Sequence, residues 1–349
     1  MDNAFNEIMK YCDSNQTIFE ELSAMCIDNK IVPYIGAGLS QFAGNVPTTK
    51  GRNLFPGWKE LIKIQYHANF LGKKLPNNLI VAAQDIEDEI GRNKLSRYIH
   101  VTMGGELTNE EWDEILEESE NQAISFVPKL FLGSIITTNF DRIIEKKAKD
   151  ISVELLNVEE SMRVPDYKKR VLYKIHGCVD KFESIVLTKE NYSKAYDGNG
   201  NFKRHLTKFF QGFNFLFLGC SLDIDDETKD KPIEVWETLT GRVKRRDMYH
   251  YAIVDVESCK AKIKSRRKEL EDRNIHPILF EKGKYESVKI ILAELLSRNS
   301  RRLKGSNADN EIVINEKIPD EMYSVATLKY NEHQKNIAKN ILEQSTINF

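Results

Sequence analysis

Three short polar clusters directly follow apolar runs of strand length, where a buried core would not choose polar side chains. They are Thr137-Thr138-Asn139-Phe140-Asp141, His176-Gly177 and Gly219-Cys220-Ser221. A fourth apolar run, Ile31-Val-Pro-Tyr-Ile35, opens into Gly36-Ala37-Gly38-Leu39-Ser40. Glycines after a strand let backbone amides approach a pyrophosphate closely. The third glycine of the dinucleotide fingerprint is replaced by Gln41, which argues against an ordinary dehydrogenase. Taken singly, Asn139 is also explained as a helix cap and His176 as a satisfied histidine at a strand end. The chemical reading rests on all four clusters meeting at one rim.

That meeting requires a parallel sheet, and the alternation of the chain supplies one. Strand-like runs stand at 31–35, 134–138, 153–156, 171–175, 185–187, 213–218, 249–254 and 275–280, with helical patterns at 233–239, 259–270 and 288–296. Such alternation predicts an α/β fold with a doubly wound parallel sheet, whose ligand sits at the carboxyl ends of the strands. Residues 1–30 read as leading helices, with Phe5, Ile8, Ile18 and Leu22 at helical intervals. The domain proper spans 31–299 and carries a helical insertion at about 57–132. Between Gln41 and Pro56 no periodicity holds, as in a functional loop or lid. From 300 to 349 the chain reads as a C-terminal arm, with a charged linker, a short strand at Ile312-Val-Ile314 and a helix over Leu328–Leu342.

Composition narrows the function classes. The 349 residues are 30% charged yet balance to a net charge of −2, against a dedicated nucleic-acid binder. Basic runs at Lys244-Arg245-Arg246, Arg266-Arg267-Lys268 and Arg301-Arg302 read as solvated helix faces. The five cysteines form no C-x-x-C pair, so neither a zinc ribbon nor a disulfide framework is expected, and reduced cytoplasmic thiols are. No run approaches membrane-spanning length, and Met1-Asp-Asn-Ala4 does not open a signal peptide. The remaining histidines are scattered, no G-x-S-x-G elbow or Walker loop occurs, and Asp223–Glu227 lacks the rhythm of a calcium loop.

The four clusters, in their order, resemble the signatures of the sirtuins, an NAD-consuming Rossmann-like family: Gly36-Ala-Gly-Leu-Ser40, Thr137-Thr-Asn-Phe-Asp141, Lys174-Ile-His-Gly177 and Leu218-Gly-Cys-Ser221. The zinc module of sirtuin deacylases has no counterpart, their Gly-Ile-Pro-Asp-Phe-Arg segment is not found, and Thr138 replaces their usual glutamine. In these departures the chain resembles the bacterial sirtuin-like proteins of antiphage defence, which hydrolyse NAD. The resemblance implies NAD as substrate, no zinc, and cleavage to nicotinamide and ADP-ribose. Asn139 would orient the ribose and the attacking water, and His176, at an ordinary imidazole pKa near 6.5, would act as general base. Gly36, Ala37, Gly38, Ser40, Thr138, Gly219 and Ser221 would line the phosphate and ribose side. Asp141 would contact the nicotinamide ribose or simply cap the next helix. The resemblance further implies a homo-oligomer restrained by a separate protein such as a ring-forming ATPase translocase. The alternatives are a protein deacylase, an ADP-ribosyltransferase and a noncatalytic NAD or ADP-ribose sensor.

Overall fold

A computed structural model of the chain describes residues 2–49, 52, 54–148, 150–155, 169–197, 201–220, 222 and 249–305. Two helices lead, α1 (Asp2–Tyr11) and α2 (Asn15–Ile27), and β1 (Ile31–Ile35) runs into the single turn α3 (Ala37–Ser40). Five helices then separate β1 from the next strand: α4 (Trp58–Asn69), α5 (Leu79–Ile90), α6 (Arg92–Thr102), α7 (Asn109–Glu118) and α8 (Ala123–Leu130). Their starts are written locally. Asn78 caps α5 by accepting from the Ile80 amide at 3.0 Å, and Thr108 with Glu111 forms a capping box on α7.

The chain continues through β2 (Ile135–Thr137), α9 (Ile143–Lys147), β3 (Ser152–Leu155), β4 (Val171–Lys174), α10 (Lys189–Tyr192), α11 (Asn201–Gly212) and β5 (Asn214–Leu218). It ends, among the described residues, in β6 (His250–Val256), α12 (Lys260–Glu271), β7 (Ile275–Glu281) and α13 (Glu286–Gly305). The seven strands among the described residues are all parallel, in the order β3-β4-β2-β1-β5-β6-β7. This is a Rossmann-like α/β fold. The connections leave β1 toward β2 on one side and return to β5 on the other, which makes β1 the point where the strand order reverses.

Pro33 inside this central strand is tolerated because β1 pairs with β2 only at Tyr34 and Ile35, while the full ladder from Ile31 to Ile35 faces β5. Burial follows the pleat. Tyr34, Ile136, Tyr173, Phe215 and Phe217 belong to one core cluster with Leu206, Phe209 and Phe210 of α11. A second cluster joins α4, α5 and α6 to Phe140, Val179, Ile185 and Leu187. The outer strand β7 is held by Asn15, whose side chain behaves as a piece of backbone. Its Nδ2 donates to Leu279 O at 2.8 Å, and its Oδ1 accepts from Leu279 N at 2.9 Å. The leading helices thereby cover an edge that would otherwise be open to pairing.

One sequence expectation is corrected. Residues 185–187 are not a strand: they follow a 3-10 turn at Phe182–Ser184, with Val186 N bonded to His176 O at 3.0 Å. In the segment read as a functional loop, 3-10 turns form at Ala43–Asn45 and Pro47–Thr49. The chain divides into two compact units, Met1–Leu295 and Leu296–Phe349. In the second, α13 stays helical through Gly305, past the expected start of the linker. The helical pattern at 233–239, the runs at 223–227 and 244–246, the strand at 312–314 and the helix at 328–342 lie outside the described residues.

Candidate functional site

The strand order β4-β2-β1-β5 places the ends of these strands side by side, so the four polar clusters share one rim. Backbone bonds continue the ladders past the strands. Thr138 N bonds Ile35 O at 3.2 Å, Ile175 N bonds Thr137 O at 2.9 Å, and Gly36 N bonds Leu218 O at 2.8 Å.

The glycines serve this junction. Gly38 N donates to Gly219 O at 3.0 Å, and a Cβ on Gly36 would lie 2.6 Å from Gly219 O. Gly219 itself takes φ +68°, in the left-handed region, and a Cβ there would lie 2.5 Å from Leu39 N. The close approach that demands glycine is therefore loop against loop. The expectation that the Gly36 and Gly38 amides stand free for a phosphate is corrected, because both are bonded to the end of β5. Ala37 is half-buried beside them, and Ser221 lies outside the described residues.

Asn139 sits where β1 and β2 end. Its Nδ2 donates to Ser40 Oγ at 2.9 Å and to Gly36 O at 3.2 Å, and its own amide donates to Thr137 Oγ1 at 3.0 Å. Its Oδ1 is buried with no hydrogen-bond partner among the described residues. A buried acceptor left unpaired costs about 1–3 kcal/mol, so the group is in want of a donor. Thr138 is half-buried and enters the junction through its backbone. Asp141 is buried, and its Oδ1 accepts from Ile143 N at 3.0 Å. That bond caps the start of α9 and accounts for Asp141 without a ligand.

Below this loop lies Lys174, with no side-chain exposure, its Nζ 2.7 Å from Glu145 Oε1 and bonded also to the carbonyl of Asp141. Burial pulls the ammonium toward neutrality, but Glu145, aided by Cys178 and Asp141, outweighs it and raises the pKa. Lys174 so ties β4 to the loop that carries Asn139. Arg142 adds a second tie, reaching Asp180 Oδ2 at 3.1 Å, and Val179 N bonds Phe140 O at 3.0 Å.

His176 is buried on the aromatic side of the sheet. Its Nε2 lies 2.7 Å from Tyr196 Oη, and the rings of Tyr192 and Tyr196 meet it edge to face at 5.4 and 6.0 Å. Burial pushes its pKa down to about 3, so the expected value near 6.5 is corrected. The imidazole is neutral throughout the physiological range. A neutral ring keeps one nitrogen lone pair able to take a proton.

Sequence reasoning assigned no role to Lys174, Glu145, Tyr192 or Tyr196. A lysine inside the apolar run Val171–Ile175 was the one available signal. The tyrosines lie in or beside a wide π turn, Ser193–Asp197, that sequence patterns do not announce. Among the described residues no group of three or more His, Cys, Asp or Glu side chains is placed to hold a metal ion. Nor is any described helix long and apolar enough to cross a membrane.

Residues 133–278 match the family profile described as a SIR2-like domain, a segment that contains Asn139 and His176 and begins after the Gly36 turn. That stretch of the chain is similar to a SIR2-like domain. The chain is also homologous to proteins named NAD(+) hydrolase ThsA. One from Cytobacillus dafuensis is 27% identical over 86% of this chain and 59% of its own length. Those from Enterococcus faecium and Bacillus cereus (strain MSX-D12) are 28% and 24% identical, over 54% and 70% of this chain and 36% and 45% of their own lengths. The chain thus spans no more than about three fifths of the curated relatives it matches. The clusters after β2, β4 and β5 fall inside the matched segment, whereas the β1 turn precedes it and joins them through the fold.

Proposed function

We propose that this chain is an NAD glycohydrolase, releasing nicotinamide and ADP-ribose, and that it acts as an effector of antiphage defence by depleting NAD. The observation that carries the chemistry is Asn139: its side-chain nitrogen is committed to Ser40 and Gly36, and its buried Oδ1 is an acceptor with no partner among the described residues. A ribose hydroxyl or a water molecule supplies the donor such a group requires. Because Oδ1 is buried, the rim opens to admit the ligand.

The reaction asks little of the protein in acid chemistry. Nicotinamide leaves as the N-glycosidic bond breaks, its nitrogen taking the bonding pair and losing its positive charge. The ribosyl carbon left behind is oxocarbenium-like and accepts the oxygen of water, whose proton passes to His176. A weak base is enough toward so strong an electrophile, which suits an imidazole with a depressed pKa. Holding ribose and water in place and excluding bulk solvent supply the rest. NAD is the substrate, and no metal enters the scheme.

The role in defence rests on the resemblance to bacterial sirtuin-like proteins, while the relatives named as NAD(+) hydrolases support the hydrolysis of NAD. A constant activity of this kind would be lethal, so a homo-oligomer restrained by a separate protein, such as a ring-forming ATPase translocase, completes the proposal. A deacylase would need a peptide site in place of the missing Gly-Ile-Pro-Asp-Phe-Arg segment. A sensor of NAD or ADP-ribose would bind without turnover.

The test is to incubate the purified chain with NAD, with and without the protein encoded beside it, and to assay free nicotinamide. Release that Asn139→Ala and His176→Ala each reduce at least about a hundredfold supports the reading. No release under either condition, with NAD bound, would establish the sensor instead.

A further inference from the structure

The one hydrogen bond on a ring nitrogen of His176 among the described residues is that to Tyr196 Oη, 2.7 Å from Nε2. Tyr196 is itself held. Its ring stacks on Tyr192 with centroids 5.7 Å apart and planes 18° apart, and meets Phe202 edge to face at 5.0 Å. The wide π turn Ser193–Asp197 carries it there, and single turns of this kind recur at functional sites. Arg92 secures the same segment from the helical insertion, donating to Asn191 Oδ1 at 2.9 Å and to the carbonyls of Phe182 and Ile185 at 3.0 and 3.1 Å.

A neutral imidazole carries one ring proton, and the partner of one nitrogen decides which nitrogen keeps it. We propose that Tyr196 is a positioning residue that accepts the His176 Nε2 proton, fixing the tautomer in which the Nδ1 lone pair is available to the substrate. The inference rests on the NAD hydrolase reading for its catalytic consequence, but the tautomer is measurable without it. During turnover the O–H bond of the attacking water breaks, an Nδ1–H bond forms, and the resulting imidazolium keeps its Nε2 proton on Tyr196. Were the Tyr196 hydroxyl the donor instead, Nδ1 would carry the proton and could only donate.

Tyr196→Phe removes the hydroxyl and keeps the ring packing. The experiment combines two readouts on the full chain. The first is the two-bond proton–nitrogen spectrum of 15N-histidine-labelled protein, with His176→Ala assigning the signal. The second is steady-state nicotinamide release. The expected results are a pure Nε2-protonated tautomer in the parent, a tautomer mixture in Tyr196→Phe, and a fall in kcat of about tenfold with KM within about twofold, the scale of one lost hydrogen bond. An Nδ1-protonated ring in the parent, or a variant unchanged in spectrum or in kcat, overturns the proposal. If the parent shows the fixed Nε2 tautomer but releases no nicotinamide, the hydrolase reading fails while the assignment of Tyr196 stands.

Discussion

Asn139 Nδ2 donates to Ser40 Oγ at 2.9 Å, joining the turn after β1 to the loop after β2 through two buried side chains. The hydroxyl read from sequence as a phosphate ligand is thus already committed to Asn139, the residue proposed to orient the ribose. Ser40→Ala should therefore lower kcat for nicotinamide release by about five- to tenfold and leave KM nearly unchanged, since one hydrogen bond orienting Asn139 is lost. A rise in KM with kcat preserved would show that Ser40 binds the substrate directly.

The Lys174–Glu145 pair makes a second prediction, because burying two charges is costly and a broken pair costs more than a replaced one. Lys174→Met alone should destabilise the chain by about 3–5 kcal/mol, and the double variant Lys174→Met, Glu145→Leu by about 1 kcal/mol or less. Both should lose activity, because the Asp141 carbonyl forfeits the tie that holds the Asn139 loop. Urea unfolding and nicotinamide assays on the same samples separate the two effects. A fully active double variant would reduce the pair to a packing device.

Gly36 and Gly212 offer a matched comparison of small substitutions. At Gly36 a Cβ would meet Gly219 O at 2.6 Å and Cys220 Sγ at 2.7 Å, whereas at Gly212 nothing lies within 4 Å. Gly36→Ala should cost about 1–3 kcal/mol as the rim is forced apart. Gly212→Ala should stay within about 0.5 kcal/mol of the parent. Equal thermal midpoints for the two variants would show that the junction yields freely.

Two buried histidines set a pH dependence. His176 is pushed down to about 3 by burial, and His250 to about 4 by burial with His276 adding. In the unfolded chain both titrate near about 6.5. Above that value neither state carries the proton and stability is complete. As the pH falls below it, the unfolded chain gains protons that the native one refuses. Stability then declines by about 1.4 kcal/mol per pH unit for each histidine until the native values are reached. Unfolding midpoints measured from pH 7.5 to 4.5 should be level above about 6.5 and fall below it. A midpoint that holds steady down to pH 5 would contradict the burial of both rings. Turnover, by the same token, should show no acid limb near 6.5 in the range where the fold persists.

Much of this arrangement is legible in the residues. Apolar runs of strand length ending in polar or glycine clusters announced β1, β2, β4 and β5, and a parallel sheet then required those clusters to share a rim. Residues 185–187 misled because they are sandwiched between two cores, Val186 in one cluster and Ile185 and Leu187 in the other. That gives the alternation of a strand without a ladder. The glycines showed that something approaches closely, but composition cannot distinguish a ligand from the carbonyl of Gly219. Tyr196 was invisible for a related reason: its significance lies in a contact with a ring twenty positions earlier. A depressed histidine pKa likewise belongs to the aromatic surroundings rather than to the residue type.

The place of β1 between β2 and β5 has a consequence for biosynthesis. β1 is translated before either of its neighbours, whose paired residues are Ile136 and Thr137 on one edge and Asn214 to Leu218 on the other. At about 5–20 residues per second, the interval between Ile35 and Leu218 lasts roughly 10–40 s. Through that time the turn at Gly36 lacks the carbonyl that fixes it, and Asn139 has no completed junction to enter. A nascent chain is therefore without an assembled rim until most of the sheet has been translated.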